Sequence, residues 1–378
     1  MFAQRVARLA PYVPGEQPGP RPGGRSYVKL NANENPYPPS PLAVQAVTRL
    51  LTDDPARLAR YPDPDSAALR AAVAALLNTT GGVLTAPSAE SGLHLTPDMI
   101  FLANGSDEAL SFLFYAFFDS EGRHCIVQTA PTYSFYPVYA GFYGIPLCAV
   151  PLFSDFRLDT GALVKGANET DSSIILANPN APTGMAINRA LLRALPPDRV
   201  HVVDEAYADF AAESALPLLA EFPNLAIVRT FSKSMSFAGM RLGYVAANPP
   251  LIAALTTVKN SFNHFPLDVL TQTAGIAACG DVPWYAENVR RIVAQRESFG
   301  AVLRHSGWQV LPSQANFLFA QKPGTSGREI YERCKAAGIL VRHFPTPPLD
   351  GFVRITIGTA EEMAALEECL APGIPRPL

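Results

Sequence analysis

The sequence is short of charge. Only 17% of its 378 residues are Asp, Glu, Lys or Arg, and 30 cationic against 33 anionic side chains leave a net charge of −3. Without a basic field, nucleic acid and anionic membrane are poor partners, and small molecules are the better expectation. Cysteine is scarce: the five, at 125, 148, 279, 334 and 369, form no Cys-x-x-Cys pair. That excludes the common zinc frameworks and fits reduced thiols in the cytoplasm. The histidines form no His-Glu-x-x-His or His-x-His cluster, so no metal is expected. Two phosphate-binding signatures, Gly-x-x-x-x-Gly-Lys-Ser/Thr and Gly-x-Gly-x-x-Gly, are also missing, which argues against a P-loop ATPase and a nicotinamide enzyme.

Long hydrophobic runs are absent as well. The N-terminal "MFAQRVARLAPYVPG" carries arginines but lacks the apolar centre of a secretory signal. Residues 124–154 hold no charged side chain, but prolines at 131, 137, 146 and 151 and several aromatic rings argue for strand, turn and buried helix rather than a membrane span.

Apolar residues, at 48%, suffice for one large core. Nine prolines crowd residues 11–41, which predicts an extended arm lying on another surface. Residues 41–78 read as two helices separated by the turn "RYPDPDS", with Ser66 capping the second, and "GGVLTAPSAESG" as a surface insertion within 79–97. Short apolar runs then alternate with helical patterns: "MIFLA", "HCIVQ", "SIILA", "VHVVD", "LAIVR" and "YVAA". This predicts an α/β fold with a mostly parallel sheet between helices. Residues 266–305 look helical, with one long connecting helix from about Trp284, and 306–378 mix "ANFLFA" and "FVRITIG" strands with helices in a smaller α+β unit. The expected division is an arm over 1–40, a large domain over 41–265 and a small domain over 266–378.

Polar clusters follow four of the strands: Asn104-Gly105-Ser106, Asn178-Pro-Asn, Asp204-Glu205 and Thr230-Phe-Ser-Lys233. Ligands of open α/β sheets bind at strand carboxyl ends, so four clusters point to one shared site. The turn at Gly105, Ser106 and Asp107 can offer backbone N–H groups to a phosphate, or Ser106 can simply cap its helix. Lys233 lies in the serine-rich patch "RTFSKSMSFAGMRLGY", which apolar residues flank on both sides, and a lysine in such a setting needs a task or a partner. Its amine can condense with an aldehyde, Asp204 can keep a pyridine nitrogen protonated, and Ser232, Arg241 and the 105–107 turn can hold a phosphate. Those are the three handles of pyridoxal 5′-phosphate. Gly239 reads as the point of close backbone approach before Arg241.

The motifs "LAPYVPG", "LNANENPYPPSP", "RYPDPDS", "NGSDEAL", "PTYSFY", "NPNAPTG", "VDEAYADF", "FSKSMSFAGMRLGY", "ANFLF" and "VRITIGT" run over nearly the whole chain. In order and spacing they resemble the fold-type I pyridoxal phosphate aminotransferases, and within them the histidinol-phosphate aminotransferase branch. The resemblance implies Lys233 as the Schiff-base lysine, Asp204 on the ring nitrogen, Tyr207 on the ring hydroxyl and Tyr133 stacked on the ring. It implies Ser106, Ser232 and Arg241 on the phosphate, with Tyr61 reaching over from the partner of a homodimer. Arg354 and Arg342 would bind the substrate's anionic end, while Asn33 and Tyr37 on the arm help close the site. Where the family commonly reads Asn-Pro-Asn-Asn-Pro-Thr-Gly, this chain has Ala181, so Asn178 or Asn180 replaces the missing donor, or Tyr207 acts alone.

The implied reaction is transamination between L-histidinol phosphate and 2-oxoglutarate. An aromatic amino acid as donor is the alternative, with Tyr133, Phe135, Tyr136 and Phe265 as pocket or core. Decarboxylation or elimination on the same cofactor is a further possibility, and a non-catalytic binding module lacks the basic segment it would need.

Overall fold

The computed structural model describes the chain except residues 1–2, 4–5, 8, 20–23, 25, 89–91, 119–124 and 372–378. His124 of the second apolar run, parts of the arm and the middle of the 79–97 insertion therefore lie outside the described residues.

In chain order, the arm carries β1 (Val28–Lys29) and leads to α1 (Pro41–Asp53) and α2 (Ala67–Thr80). The alternating part comprises β2 (Ile100–Asn104), α3 (Gly105–Phe117), β3 (Ile126–Ala130), α4 (Tyr136–Tyr143), β4 (Leu147–Pro151), α5 (Thr160–Glu169), β5 (Ser173–Ala177), α6 (Arg189–Leu192), β6 (His201–Asp204), β7 (Leu225–Thr230) and β8 (Leu242–Ala247). Three helices follow, α7 (Pro249–Phe262), α8 (Val269–Cys279) and the long α9 (Val282–His305). The chain ends with β9 (Gln309–Val310), β10 (Phe317–Gln321), α10 (Gly327–Ala337), β11 (Ile339–Leu340), β12 (Arg342–His343), β13 (Val353–Thr356) and α11 (Ala360–Leu370).

The large sheet has the order β2-β8-β7-β6-β5-β3-β4. Only β8 runs against the rest, pairing antiparallel with both β2 and β7, so the expected mostly parallel sheet is present. Every residue of β5, β6, β7 and β8 is buried, because helices cover both faces; this is why those strands read as unbroken apolar runs. The sequence reading did not single out β4. It is an edge strand, half-exposed and ending in Pro151, and an edge tolerates a residue with no N–H to donate. A second sheet, β12-β13-β10-β9, is antiparallel, and β1 of the arm pairs with β11 beside it. No helix among the described residues is long and apolar enough to cross a membrane.

Two local expectations need correcting. Ser66 occupies the N-cap of α2 but takes a left-handed backbone, φ 47°, and its side chain caps nothing. Asp63 does that work, accepting from Ala67 N at 2.8 Å and Asp65 N at 3.0 Å. An aspartate three residues earlier in a proline-rich turn reaches the same unsatisfied donors. The insertion is also not all surface. Leu84 is buried, its N–H donating to Asp209 O at 3.3 Å, and Gly82 O accepts from Arg229 at 2.9 Å.

Arg229 organises this region. Its side chain, 3% exposed, meets Glu205 at 2.8 Å and Asp209 at 2.7 Å. Glu205 further accepts from Ser214 Oγ and Ala215 N, both at 2.6 Å, and Asp209 accepts from Ser234. Arg229→Met strands the buried carboxylate of Glu205 and the partly buried one of Asp209, and breaking a buried pair in this way costs about 3–5 kcal/mol. Denaturant unfolding of the variant should show a loss of that size; a loss under about 1 kcal/mol would contradict the role assigned to the cluster.

Candidate functional site

All the parallel strands of the large sheet end on one side, and a cleft opens there. Ser106 and Asp107 enter it after β2, Tyr133 after β3, Ala181 after β5, Asp204 and Tyr207 at and after β6, and Lys233 after β7. Ser232 and Arg241 complete the lining. The four polar clusters of the sequence thus meet in one place, as a strand-end site requires.

The N-terminus of α3 forms one wall. Gly105 has φ 81°, and a Cβ there would lie 2.5 Å from Arg241 Nη2. Gly243 is packed tighter still, since its Cβ would meet Gly105 C and Ser106 N at 2.4 Å. The close approach predicted for Gly239 is therefore made by Gly243; Gly239 has open space around it. Ser106 is not the cap either. Asn104 holds that position, and its N–H donates to Glu108 at 2.6 Å, leaving the first-turn N–H groups of α3 without helical acceptors. Arg241, held in a left-handed backbone at φ 54°, sits over this turn and pairs with Asp107 at 3.2 Å.

Asp204 lies at the end of β6, 5% exposed, accepting from Tyr136 Oη at 2.8 Å and Ala206 N at 3.1 Å. Burial pushes its carboxyl up to about 6, against the pull of those two hydrogen bonds. Among the described residues no cation pairs with it. Tyr207 Oη accepts from Asn33 Nδ2 at 2.8 Å, and its ring stands edge-on to Phe317 at 5.1 Å. Lys233 Nζ lies 5.8 Å from the Tyr207 ring centre and 3.5 Å from Ala32 O, with no carboxylate partner among the described residues.

The asparagines of the "NPNAPTG" turn already have partners within the chain. Asn178 pairs with Ile187, accepting from its N–H at 2.9 Å, and Asn180 is spent on Pro131 O, Thr183 and Thr132 at 3.1, 3.0 and 2.7 Å. Ala181 lines the cleft instead, which leaves Tyr207 as the hydroxyl on that side. Tyr133 lines the cleft and donates to Asp107 at 3.0 Å, whereas Tyr136 is core and Phe265 stacks on Tyr61 at 4.7 Å. Phe135 lies beside Tyr12 and Tyr139 at 5.0 and 4.6 Å.

Arg342 and Arg354 are direct cross-strand partners on β12 and β13, like charges side by side. Arg342 donates to Val13 O and Pro14 O at 3.4 Å, and Arg354 to Asn31 O at 3.0 Å, while Arg354 Nε is buried without a partner. Burial lowers the Arg354 pKa, and Arg342 adds to that. Such a pair is suited to an anion. Asn33 is buried and holds Tyr207, but Tyr37 faces α9, with the Arg291 guanidinium 5.7 Å from its ring centre. Tyr61 is 80% exposed and outside the cleft of its own chain. The sequence reading missed Asn35, whose Nδ2 donates to Lys233 O at 2.9 Å and Ser234 O at 3.0 Å; its motif was visible, but not where it would fold back.

Because burial raises the Asp204 pKa from 3.8 to about 6, its ionised form costs stability, fully above about pH 6 and not at all below about pH 4. Asp204→Asn should therefore stabilise the ligand-free protein at pH 8, by at most roughly 3 kcal/mol, with the gain vanishing at acid pH. Thermal unfolding of both proteins across pH checks the sign; a variant less stable at pH 8 than at pH 4, relative to wild type, would refute it.

Residues 25–370 match the family described as aminotransferase class I and II. The chain is 47% identical over 373 residues to the histidinol-phosphate aminotransferase of Syntrophus aciditrophicus, covering 97% of this chain and 96% of that one. It is 43% identical over 369 residues to the corresponding enzyme of Gluconacetobacter diazotrophicus, covering 97% and 95%. The crystal structure of histidinol-phosphate aminotransferase from Sinorhizobium meliloti in complex with pyridoxal-5′-phosphate superposes with a TM-score of 0.81, at 27% identity over 98% of this chain and 96% of that one.

Proposed function

The chain belongs to the class I and II aminotransferases, and from that premise we propose that it moves the amino group of L-histidinol phosphate to 2-oxoglutarate, giving imidazole acetol phosphate and glutamate in histidine biosynthesis. The observation that carries the chemistry is the meeting of Lys233, Asp204 and Arg241 in one cleft. The near full-length relatives favour histidinol phosphate over an aromatic amino acid as donor.

The cofactor is pyridoxal 5′-phosphate, and the residues fit it. A buried carboxylate at Asp204, with no cation partner among the described residues, and a first helical turn of N–H groups that Gly105 and Gly243 let pack closely against Arg241 and β8 form a cradle for a ring nitrogen and a phosphate. Ser106, Ser232 and Arg241 would hold the phosphate, with Asp107 and Gly105 shaping the turn; Tyr133 would cover the ring and Tyr207 would bond its hydroxyl. When bound, the cofactor supplies an aldehyde for the substrate amine and a protonated ring that draws the electron pair left at the substrate Cα.

The protein's own groups do the rest. Asp204 keeps the ring nitrogen protonated by holding a negative charge beside it in a dry site. Lys233 Nζ would take the substrate Cα proton, a role open to it because no carboxylate among the described residues ties up the amine. Arg354 and Arg342 bind the anionic end of either substrate in turn. The same division of labour assigns 1–40 to an arm, 41–265 to the cofactor domain and 266–378 to the small domain that carries the two arginines. A homodimer places the exposed Tyr61 into the neighbouring cleft, and the enzyme works in the cytoplasm.

Purified protein mixed with histidinol phosphate, phenylalanine or tyrosine, without any oxo acid, should lose its yellow absorbance fastest with histidinol phosphate. Faster loss with an aromatic amino acid would reassign the donor. Lys233→Ala should retain some pyridoxal phosphate binding yet turn over at least about a thousandfold more slowly; undiminished turnover would end the proposal.

A further inference from the structure

Tyr136 opens α4 and is 0% exposed, with its hydroxyl 2.8 Å from Asp204 Oδ2. The other carboxylate oxygen is taken by Ala206 N at 3.1 Å. We infer that Tyr136 is a positioning residue for Asp204: it fixes the carboxylate's orientation and keeps it anionic, so that the charge stands ready for a protonated ring nitrogen. The inference deepens the reading of Asp204 given above and rests on it.

The surroundings leave this task to Tyr136. Its ring stands edge-on to Tyr133 at 5.4 Å and 83°, so the hydroxyl is aimed by packing against a residue that itself lines the cleft. The next hydroxyl on α4, that of Tyr139, is committed to Asp107 O at 2.7 Å. Asp107 on α3 and Glu205 beside Asp204 both add to burial in pushing its pKa up, while Tyr136 is the first of the groups that pull it down. The buried hydroxyls of Tyr133 and Tyr139 have pKa values raised by burial and stay neutral. Tyr207 stands on Asp204's own segment, and Lys233 and Arg241 line the same cleft without pairing with Asp204. Tyr136 is thus the one side chain among the described residues that donates a hydrogen bond to this carboxylate, and a donor to the charged form favours it.

Tyr136→Phe keeps the packed ring and deletes the hydroxyl. In apoprotein carrying carbon-13 aspartate carboxyls, with the Asp204 signal identified by its loss in Asp204→Asn, the Asp204 midpoint should rise by about one pH unit in Tyr136→Phe. Tyr139→Phe, a hydroxyl deletion one helical turn away, should leave it in place. Pyridoxal phosphate affinity of Tyr136→Phe, measured as a ratio to wild type, should fall about fivefold near pH 6 and scarcely at about pH 9, where the carboxylate is ionised in both proteins. A pure packing role would weaken binding equally at both pH values. An unmoved Asp204 midpoint, or a loss as large at about pH 9 as at about pH 6, overturns the inference. Failure of the wild-type protein to bind pyridoxal phosphate would overturn the cofactor reading itself, and the apoprotein midpoints tell the two failures apart.

Discussion

Burial of the Asp204 carboxylate at the end of β6 is the constraint around which the cleft is arranged. A lone anion in a low-dielectric site is expensive, so the surrounding structure must supply donors or a cation. It supplies two donors, from Tyr136 and Ala206, and stops there. The shortfall leaves the pKa near 6 and gives the site an appetite for positive charge. Lys233 in the same cleft and Arg354 on β13 show the converse condition, cationic groups without a carboxylate partner among the described residues. A fold selected only for stability would pair these charges with one another. Their separation is what gives the cleft its chemistry.

Adjacent residues on that strand end follow opposite rules. Glu205 turns away from the cleft into the Arg229 cluster, where every oxygen is satisfied. Asp209 closes the same cluster and reaches Ser234, the neighbour of Lys233. The segments that carry the aspartate and the lysine are therefore bolted together beneath the cleft by charges that take no part in it. Buried ion pairs often add little net stability, but they tolerate few alternative arrangements. Here that intolerance constrains the spacing between two cleft-lining side chains that are 29 residues apart in sequence, at 204 and 233.

The parts legible in the sequence were those governed by local physics. Buried parallel strands must be apolar throughout, and polar residues at their ends have few reasons to cluster except a ligand; hence the sheet, Lys233, Asp204 and Arg241 could be read directly. What failed depended on which of two chemically similar neighbours the tertiary structure uses. Ser66 and Asp63 can both cap a helix, and Gly239 and Gly243 can both admit a close approach; only the packed chain decides. Asn178 and Asn180 read as donors to a ligand, and the fold gives both of them partners within the chain, at Ile187 and at Pro131, Thr132 and Thr183. Tyr136 could not be distinguished from any other core aromatic, because its hydroxyl's partner lies 68 residues away.

The arm shows how the two sheets come to share one site. Asn33 donates to Tyr207 of the large sheet's loops, accepts from Thr356 of β13, and offers its carbonyl to Asn316 before β10 at 3.0 Å. Two residues on, Asn35 grips the backbone at Lys233; two residues back, the Asn31 carbonyl receives Arg354. Five consecutive residues thus touch the amine's loop, the hydroxyl of Tyr207 and the arginine suited to an anion. With φ 55° at Asn33, a conformation that asparagine tolerates better than most residues, the chain bends so that all three contacts are made at once. A displacement of this short segment would therefore disturb the contacts of Arg354, of Tyr207 and of the loop that carries Lys233 together.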